Sequence, residues 1–210
     1  MPEPDSKADL IRKLRNGDDE AFAALFSRHR EQLRKMLQFR MDRRLQARED
    51  PSDVLQEVYI DALKRIPHFI KKDELSFYVW LRQVAIQCLT DLHRRHFNAE
   101  KRDIRQEVSL NNRRNASNST SMAIQLVAQM ASPSQVMMEA ELVSQIETAL
   151  ESMDELDREV LAVRHFEDLR NSEVAEVLGI SEAAASNRYV RALSRLREVL
   201  QRAPGFFEQN

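Results

Sequence analysis

Glycine and cysteine are almost absent from this 210-residue chain, which has three glycines and one cysteine. The few glycines leave no Gly-rich loop of the kind that cradles nucleotide phosphates. A single cysteine excludes an intramolecular disulfide framework and is typical of a reducing cytoplasm. No stretch is apolar enough for a membrane span, and the first residues lack the apolar segment of a signal peptide. These absences predict a cytoplasmic protein with no membrane partner.

Groupings of residues that would support catalysis are also missing. We find no paired carboxylates in an apolar setting and no Ser/His/Asp arrangement. His93 and His96 are one helical turn apart, with Cys88 further back, but no fourth metal ligand is evident. Cys88 lies on an apolar stripe and is better interpreted as a small core residue. We therefore predict no enzyme activity, no cofactor, no metal site and no small-molecule substrate.

The residues that are abundant, Ala, Leu, Glu, Arg and Gln, all favour helices, so the sequence predicts an all-α fold. Apolar residues recur at helical intervals in two blocks, and the polar, low-complexity stretch 109–121 lies between them. We therefore predict two helical domains, residues 9–103 and 135–202. A flexible linker over residues 104–134 would join them.

An acidic helix is predicted after Asp50, which precedes Pro51 in the pattern of a capping residue followed by proline. Pro67 is predicted to end this helix. Residues 49–63 contain five acids and no base, which suits docking on a basic partner but is also typical of solvated helix surface. Helical spacing places four residues on one exposed face: Asp53, Gln56, Glu57 and Ile60.

The next helix is predicted to begin at Ser76, to end near Phe97 and to become basic in its second half. Residues 82–105 contain six bases and three acids, with histidine and phenylalanine rings among them. Bases and rings on one surface suit nucleic-acid contact, although the arginines could also be solubilising charges. The candidates for contact are His93, Arg94, Arg95, Asn98 and Arg102.

Residues 172–191 have the pattern of a helix-turn-helix, a motif whose second helix enters the DNA major groove. Ser172 is predicted to cap the first helix, and Gly179 to end it in a left-handed conformation. Ser181 then offers a cap for the second helix. The residues of this second helix predicted to point inward are Ala185, Tyr189, Ala192, Leu193 and Leu196.

The opposite face of this second helix would meet DNA, and residues 181–202 carry five arginines against two glutamates. Asn187 could bind an adenine edge, and Arg191 could bind a guanine or a phosphate. The candidates for base or phosphate contact are Glu182, Ser186, Asn187, Arg188, Arg191 and Arg195.

Three segments, in this order, resemble a bacterial RNA polymerase sigma factor of the extracytoplasmic-function class. Residues 53–63 (DVLQEVYIDAL) are similar to the family's region 2.2. Residues 77–85 (FYVWLRQVA) and 91–95 (DLHRR) are similar to regions 2.3 and 2.4. Residues 156–166 (LDREVLAVRHF), together with the helix-turn-helix, are similar to region 4. Each segment is weak evidence alone, but their order and separation are specific.

The resemblance implies a dissociable subunit that directs promoter-specific transcription initiation. Its partners would be promoter DNA and core RNA polymerase, bound at the clamp coiled coil and the flap, with an anti-sigma factor as a further candidate. The first domain would bind polymerase through the face around Asp53 and would recognise and melt the −10 element. Tyr78 and Trp80 could help to capture unstacked bases there, although Trp80 also fits the core stripe. The second domain would recognise the −35 element.

Two departures from the family pattern put the promoter sequence in doubt. Ala183 to Ala185 replace the usual β-branched residue, and Ser186 stands where a lysine is common. An alternative function also fits the residues: a stand-alone regulator that binds DNA with its second domain and uses the first for sensing or dimerisation. The acidic face of the first domain argues against that alternative.

Overall fold

The chain divides into two compact units, Met1–Arg102 and Asp103–Asn210. The computed structural model describes residues 7–41, 43–71, 75–97, 119, 122–126 and 136–202. Every regular element within these ranges is helical, which confirms the predicted all-α fold.

Helices α2 (Asp19–Arg40), α4 (Pro51–Lys71) and α5 (Phe77–Phe97) form the core of the first unit, where α4 packs against both of the others. Phe22 of α2 is fully buried, and its ring centroid lies 5.2 Å from that of Tyr59 and 6.1 Å from that of Phe77. The apolar stripes predicted from the sequence therefore meet in one aromatic cluster. The described helices of this unit are α1 (Lys7–Arg15), α2 (Asp19–Arg40), α3 (Arg43–Gln46), α4 (Pro51–Lys71) and α5 (Phe77–Phe97).

The prediction that Pro67 ends α4 is wrong, because the helix continues to Lys71. A proline inside a helix costs roughly 3 kcal/mol. The extra turn buries Phe69, whose ring lies 4.7 Å from Trp80 and 5.5 Å from Phe77. Burying a phenylalanine contributes about 1.5–3 kcal/mol, so the tertiary contact offsets the local penalty.

The second unit is organised around its last helix, which packs against the three helices before it. Residues 155–166 form a short α-helix followed by a π-helical turn, in which the Glu167 N–H donates to the Ala162 carbonyl. Val163 and Phe166 are both buried in that turn. The described elements are α6 (Val136–Glu151), α7 (Glu155–Leu161), the π-helical turn (Ala162–Phe166), α8 (Asn171–Leu178) and α9 (Glu182–Arg202).

Part of the segment predicted as a flexible linker has structure of its own. Residues 122–126 are helical, and Met122, Ala123 and Leu126 are buried. These three apolar side chains lie within the predicted linker, just after its polar stretch 109–121. Most of that stretch lies outside the described residues.

Candidate functional sites

The acidic face of α4, which comprises Asp53, Gln56, Glu57 and Ile60, is exposed as predicted. Asp50 caps the helix, because its carboxylate accepts a 2.7 Å hydrogen bond from the Ser52 N–H. This bond keeps the pKa of Asp50 below its usual value. Ile60 is 53 % exposed, and few other large apolar residues among those described are exposed. The acidic face thus combines negative charge with an accessible apolar centre.

Asp61 follows the acidic face in sequence but turns away from it. Its carboxylate accepts a 2.6 Å hydrogen bond from Arg65 and lies 3.7 Å from the Cys88 sulfur. Burial and the neighbouring Asp61 charge raise the pKa of the Cys88 thiol to about 12. Cys88 therefore stays protonated near neutral pH and behaves as a core residue rather than a nucleophile.

The basic end of α5 lies against the acidic start of α4. Arg95 donates to both carboxylate oxygens of Glu57, at 2.5 and 3.4 Å, and His96 Nε2 lies 2.8 Å from a carboxylate oxygen of Glu49. Glu57 was predicted to bind polymerase, and Arg95 was predicted to contact DNA. In the free chain these two candidate residues bind each other.

Neutralising Glu57 is expected to change the stability of the first unit little. The Arg95–Glu57 side chains are 57 % and 46 % exposed, and exposed pairs contribute about 0–1 kcal/mol. Glu57→Gln should therefore shift the free energy of unfolding by less than about 1 kcal/mol. The free energy of unfolding is measured by titration with denaturant, followed by the fluorescence of Trp80, the only tryptophan in the sequence. Glu31→Gln, which removes the exposed pair with Arg34, is the control; a much larger loss from Glu57→Gln would contradict the prediction.

The other residues predicted to contact the −10 element differ in how far they are buried. Tyr78 is fully buried and Trp80 is 8 % exposed, because the first turn of α5 packs inside the unit on all sides. Neither ring presents a face to a base in this conformation, so both leave the set of DNA-contact candidates. Arg94 is exposed, with Asp91 3.7 Å away. His93 is half-buried, and its ring lies 4.7 Å from that of Phe97.

Asn98 and Arg102 lie outside the described residues. The structure instead brings two arginines near Phe97 that sequence analysis missed: the guanidinium carbons of Arg44 and Arg48 lie 4.9 and 5.6 Å from its ring centroid. About fifty residues separate each of them from Phe97. No local periodicity could have found this group, although a run of arginines after α2 was visible.

The turn of the helix-turn-helix forms as predicted, but the cap of its first helix does not. Gly179 has φ of 64°, and the Ser181 hydroxyl accepts a hydrogen bond from the Ala184 N–H at 3.1 Å. Helix α8, however, begins at Asn171, so Ser172 is inside it. The Glu173 carboxylate caps this end instead, accepting a 2.9 Å hydrogen bond from the Arg170 N–H. An acid three residues into a helix competes successfully for the orphan N–H groups.

Removing the Ser181 hydroxyl should destabilise the second unit by about 1 kcal/mol, the usual cost of losing an N-cap. Ser181→Ala tests this, with unfolding followed by circular dichroism. Ser194→Ala is the matched control, since Ser194 is exposed within α9 and alanine favours helix interiors. Equal effects of the two substitutions would contradict a capping role for Ser181.

Helix α9 presents most of its predicted DNA face to solvent. Ala185, Ala192 and Leu196 are buried. Leu193 was predicted to point inward but is 39 % exposed, because it lies one residue, or about 100°, beyond the stripe on which Ala192 lies. Arg188 and Tyr189 are half-buried, and the remaining predicted contact residues are exposed: Glu182, Ser186, Asn187, Arg191 and Arg195.

Two arginines of α9 are held by acids at the start of α7, Asp154 and Asp157, which the sequence did not suggest. One carboxylate oxygen of Asp157 accepts hydrogen bonds from Arg188 at 2.6 Å and from Arg191 at 2.9 Å. Arg188 also contacts Asp154 at 3.2 Å. The acids are 31 to 34 residues away in sequence. We call these four residues the arginine–aspartate cluster.

A second group of side chains ties α8 to α9. The Asn171 amide donates a 2.8 Å hydrogen bond to the Glu182 carbonyl and accepts one from Arg164 at 3.1 Å. The Arg164 guanidinium carbon also lies 5.2 Å from the Tyr189 ring centroid. These contacts fix the start of α9 relative to α8 and thereby set its direction.

Among the described residues no three His, Cys, Asp or Glu side chains are grouped so that they could hold a metal ion. Within the same ranges no helix is both long and apolar enough to cross a membrane.

Comparisons with known proteins cover both units. A family model described as ECF sigma factor matches residues 4–202. The chain is 23% identical over 193 residues to the ECF RNA polymerase sigma-E factor of Haemophilus influenzae, covering 91% of this chain and 94% of that protein. It is 26% identical over 206 residues to the RNA polymerase sigma factor NccH of Alcaligenes xylosoxydans xylosoxydans, covering 96% of this chain and 98% of that protein. The solved structure of CnrH in complex with the cytosolic domain of CnrY is similar in fold, with a TM-score of 0.51 at 21% identity, covering 94% and 98%.

Proposed function

This chain belongs to the ECF sigma factor family, and we propose that its two units divide promoter recognition between them. The family match confirms the resemblance that the sequence predicted. The protein directs promoter-specific transcription initiation by RNA polymerase, and it is an initiation factor rather than an enzyme. Its partners are RNA polymerase and DNA, which also makes the cytoplasm its proposed place of action.

The acidic face of α4 is the proposed site for core polymerase, with the clamp coiled coil as its target. Asp53 and Glu57 supply exposed negative charge, and Ile60 supplies an apolar centre that is 53 % exposed. Charge of this kind steers a basic partner and fixes its register, while the apolar residue loses water on binding. The flap is the proposed contact of the second unit.

The end of α5 is the proposed contact for the −10 element. Arg94 and Arg95 are exposed there and His93 is half-buried, so charge for phosphates lies beside rings near Phe97. Helix α9 is the proposed reader of the −35 element, through Asn187 and Arg191 and their exposed neighbours. Its exposed Val190 adds an apolar surface that could meet a thymine methyl group.

An anti-sigma factor remains a candidate partner. CnrH, which is similar to this chain in fold, has been solved in complex with the cytosolic domain of CnrY. A protein that covered the acidic face of α4 would compete directly with polymerase.

The observation that carries the proposal is that the two units expose surfaces of opposite charge, an acidic one on α4 and a basic one on α9. A run-off assay with core polymerase, the full chain and genomic fragments tests it, followed by mapping of start sites. We expect initiation at defined positions that share two sequence elements. Start sites no more frequent than with core enzyme alone would contradict the proposal. DNA binding without polymerase association would favour the stand-alone regulator.

A further inference from the structure

The arginine–aspartate cluster connects the proposed DNA-reading helix to a residue that lies outside it. Asp157 belongs to α7, and its side chain is only 14 % exposed, whereas the side chain of Arg191 is 62 % exposed. The acid thus sits beneath the arginines, on the side away from solvent. Such a position suits a residue that orients its neighbours rather than one that meets DNA.

We propose that Asp157 is a positioning residue for promoter recognition, which orients Arg191, and Arg188 beside it, toward the bases of the upstream element. This inference rests on the proposed function of α9. It assigns part of the sequence specificity to a helix that does not enter the groove.

The hydrogen-bond geometry supports this role. A guanidinium group has five N–H donors in a fixed planar fork. Arg191 contacts Asp157 through Nη2, at 2.9 Å, so the group retains N–H donors for a guanine edge or a phosphate. Anchoring one nitrogen restricts the plane in which the others lie, and two parallel hydrogen bonds to guanine require such alignment.

The charge on Asp157 is maintained by the same contacts. Burial alone would raise its pKa, but the hydrogen bonds from Arg191 and Arg188 and their charges outweigh that effect, so its pKa lies below the usual value. The carboxylate therefore remains ionised at neutral pH and can hold both arginines. Arg188, with a side chain 27 % exposed and contacts to Asp154 and Asp157, is the more firmly fixed of the two.

A purely structural role explains the arrangement less well. Helix α9 is already held by buried apolar residues such as Ala192 and Leu196, and by the Asn171 hydrogen bond to the Glu182 carbonyl. The contacts also do not serve simply to shield the arginines from DNA, because Arg191 remains mostly exposed while bound to Asp157. A half-buried acid that leaves its arginine partner accessible is placed to orient that arginine.

The test uses reconstituted holoenzyme on a promoter identified by run-off transcription, with the upstream element randomised and transcripts sequenced. Asp157→Asn should lower the preference for the best upstream sequence about tenfold, by weakening one bidentate contact. The loss should fall on the same one or two base pairs that Arg191→Ala relaxes. Glu198→Gln, which removes an exposed negative charge from α9, should leave the preference unchanged.

A double-mutant cycle separates positioning from a structural effect. If Asp157 acts through Arg191, then Asp157→Asn should add less than about twofold in the Arg191→Ala background. Fully additive losses, an unchanged preference, or a stronger preference in Asp157→Asn would overturn the proposal. Asp157→Glu keeps the charge and moves the carboxylate by one methylene. It should lower the sequence preference at the same base pairs severalfold. This second variant keeps the test valid even if Asp157→Asn unfolds.

The control arms distinguish this proposal from the proposed function. If wild-type holoenzyme shows no upstream preference, then α9 does not read the promoter and both proposals fail. If the wild type and Arg191→Ala differ as expected but Asp157→Asn behaves as wild type, only the positioning role of Asp157 fails.

Discussion

Reversing the charges of Asp53 and Glu57 to arginine is expected to lower the affinity for core polymerase at least about a hundredfold, roughly 2.7 kcal/mol. Both side chains are exposed on the acidic face, so the substitutions should leave the folded unit intact. Two attractive contacts with a basic partner would become repulsive ones, and like charges brought together cost several kcal/mol. Co-purification and a fluorescence titration with labelled core enzyme measure the loss.

The control for this experiment carries the same charge change elsewhere in the first unit. Glu20 and Glu31 are exposed on α2, and Glu20→Arg with Glu31→Arg should retain core binding within a fewfold. Replacing Asp53 and Glu57 without any loss of core binding would show that the acidic face is solvated surface. A loss that disappears in high salt would instead place these charges at the rim of the interface.

Replacing Arg191 with alanine is expected to lower promoter affinity about ten- to a hundredfold, the range that a good bidentate base contact provides. Arg191 is the exposed arginine of the cluster, with its side chain 62 % exposed. The loss should depend on sequence, and a scrambled upstream element should bind the variant and the wild type almost equally. Mobility shift of holoenzyme on both fragments measures this.

Arg195→Ala is the comparison for Arg191→Ala. Arg195 is exposed on α9, and a phosphate contact there would weaken binding to all sequences and reduce the salt dependence by about one charge. If Arg191→Ala behaved in that way, Arg191 would be a phosphate contact. Unchanged affinity for the preferred promoter would remove it from the interface.

Sequence reasoning succeeded where the determining interactions are local. The start of α4 was predicted from Asp50 and Pro51, and the start of α9 from Ser181 after Gly179. Both predictions succeeded because a cap and the N–H groups it satisfies lie within a few residues of each other. Sequence reasoning failed at Pro67, where the burial of Phe69 against a helix distant in sequence offsets a local penalty. Helical periodicity gave the inward stripe of α9 but not its exact edge, so the exposure of Leu193 was missed.

The candidate sites show the same division between local and distant contacts. Spacing along α4 correctly placed Glu57 on an exposed face, since helix geometry alone decides that. The ion-pair partners on other helices could not be predicted from the sequence, because Arg95 is 38 residues from Glu57 and Asp157 is 34 residues from Arg191. Pairing over such separations depends on how the helices pack, and no single-sequence pattern encodes it directly.

If Glu57 contacts polymerase and Arg95 contacts DNA, as proposed, the ion pair between them would make the two binding events cooperative. A basic partner that takes up Glu57 frees Arg95, and DNA that takes up Arg95 frees Glu57; the coupling free energy is the same in both directions. An exposed pair is worth about 0–1 kcal/mol, so the gain in DNA affinity after docking is at most about fivefold. In the unbound protein Arg95 is partly neutralised by Glu57, and on this proposal association with polymerase would increase its attraction for promoter DNA.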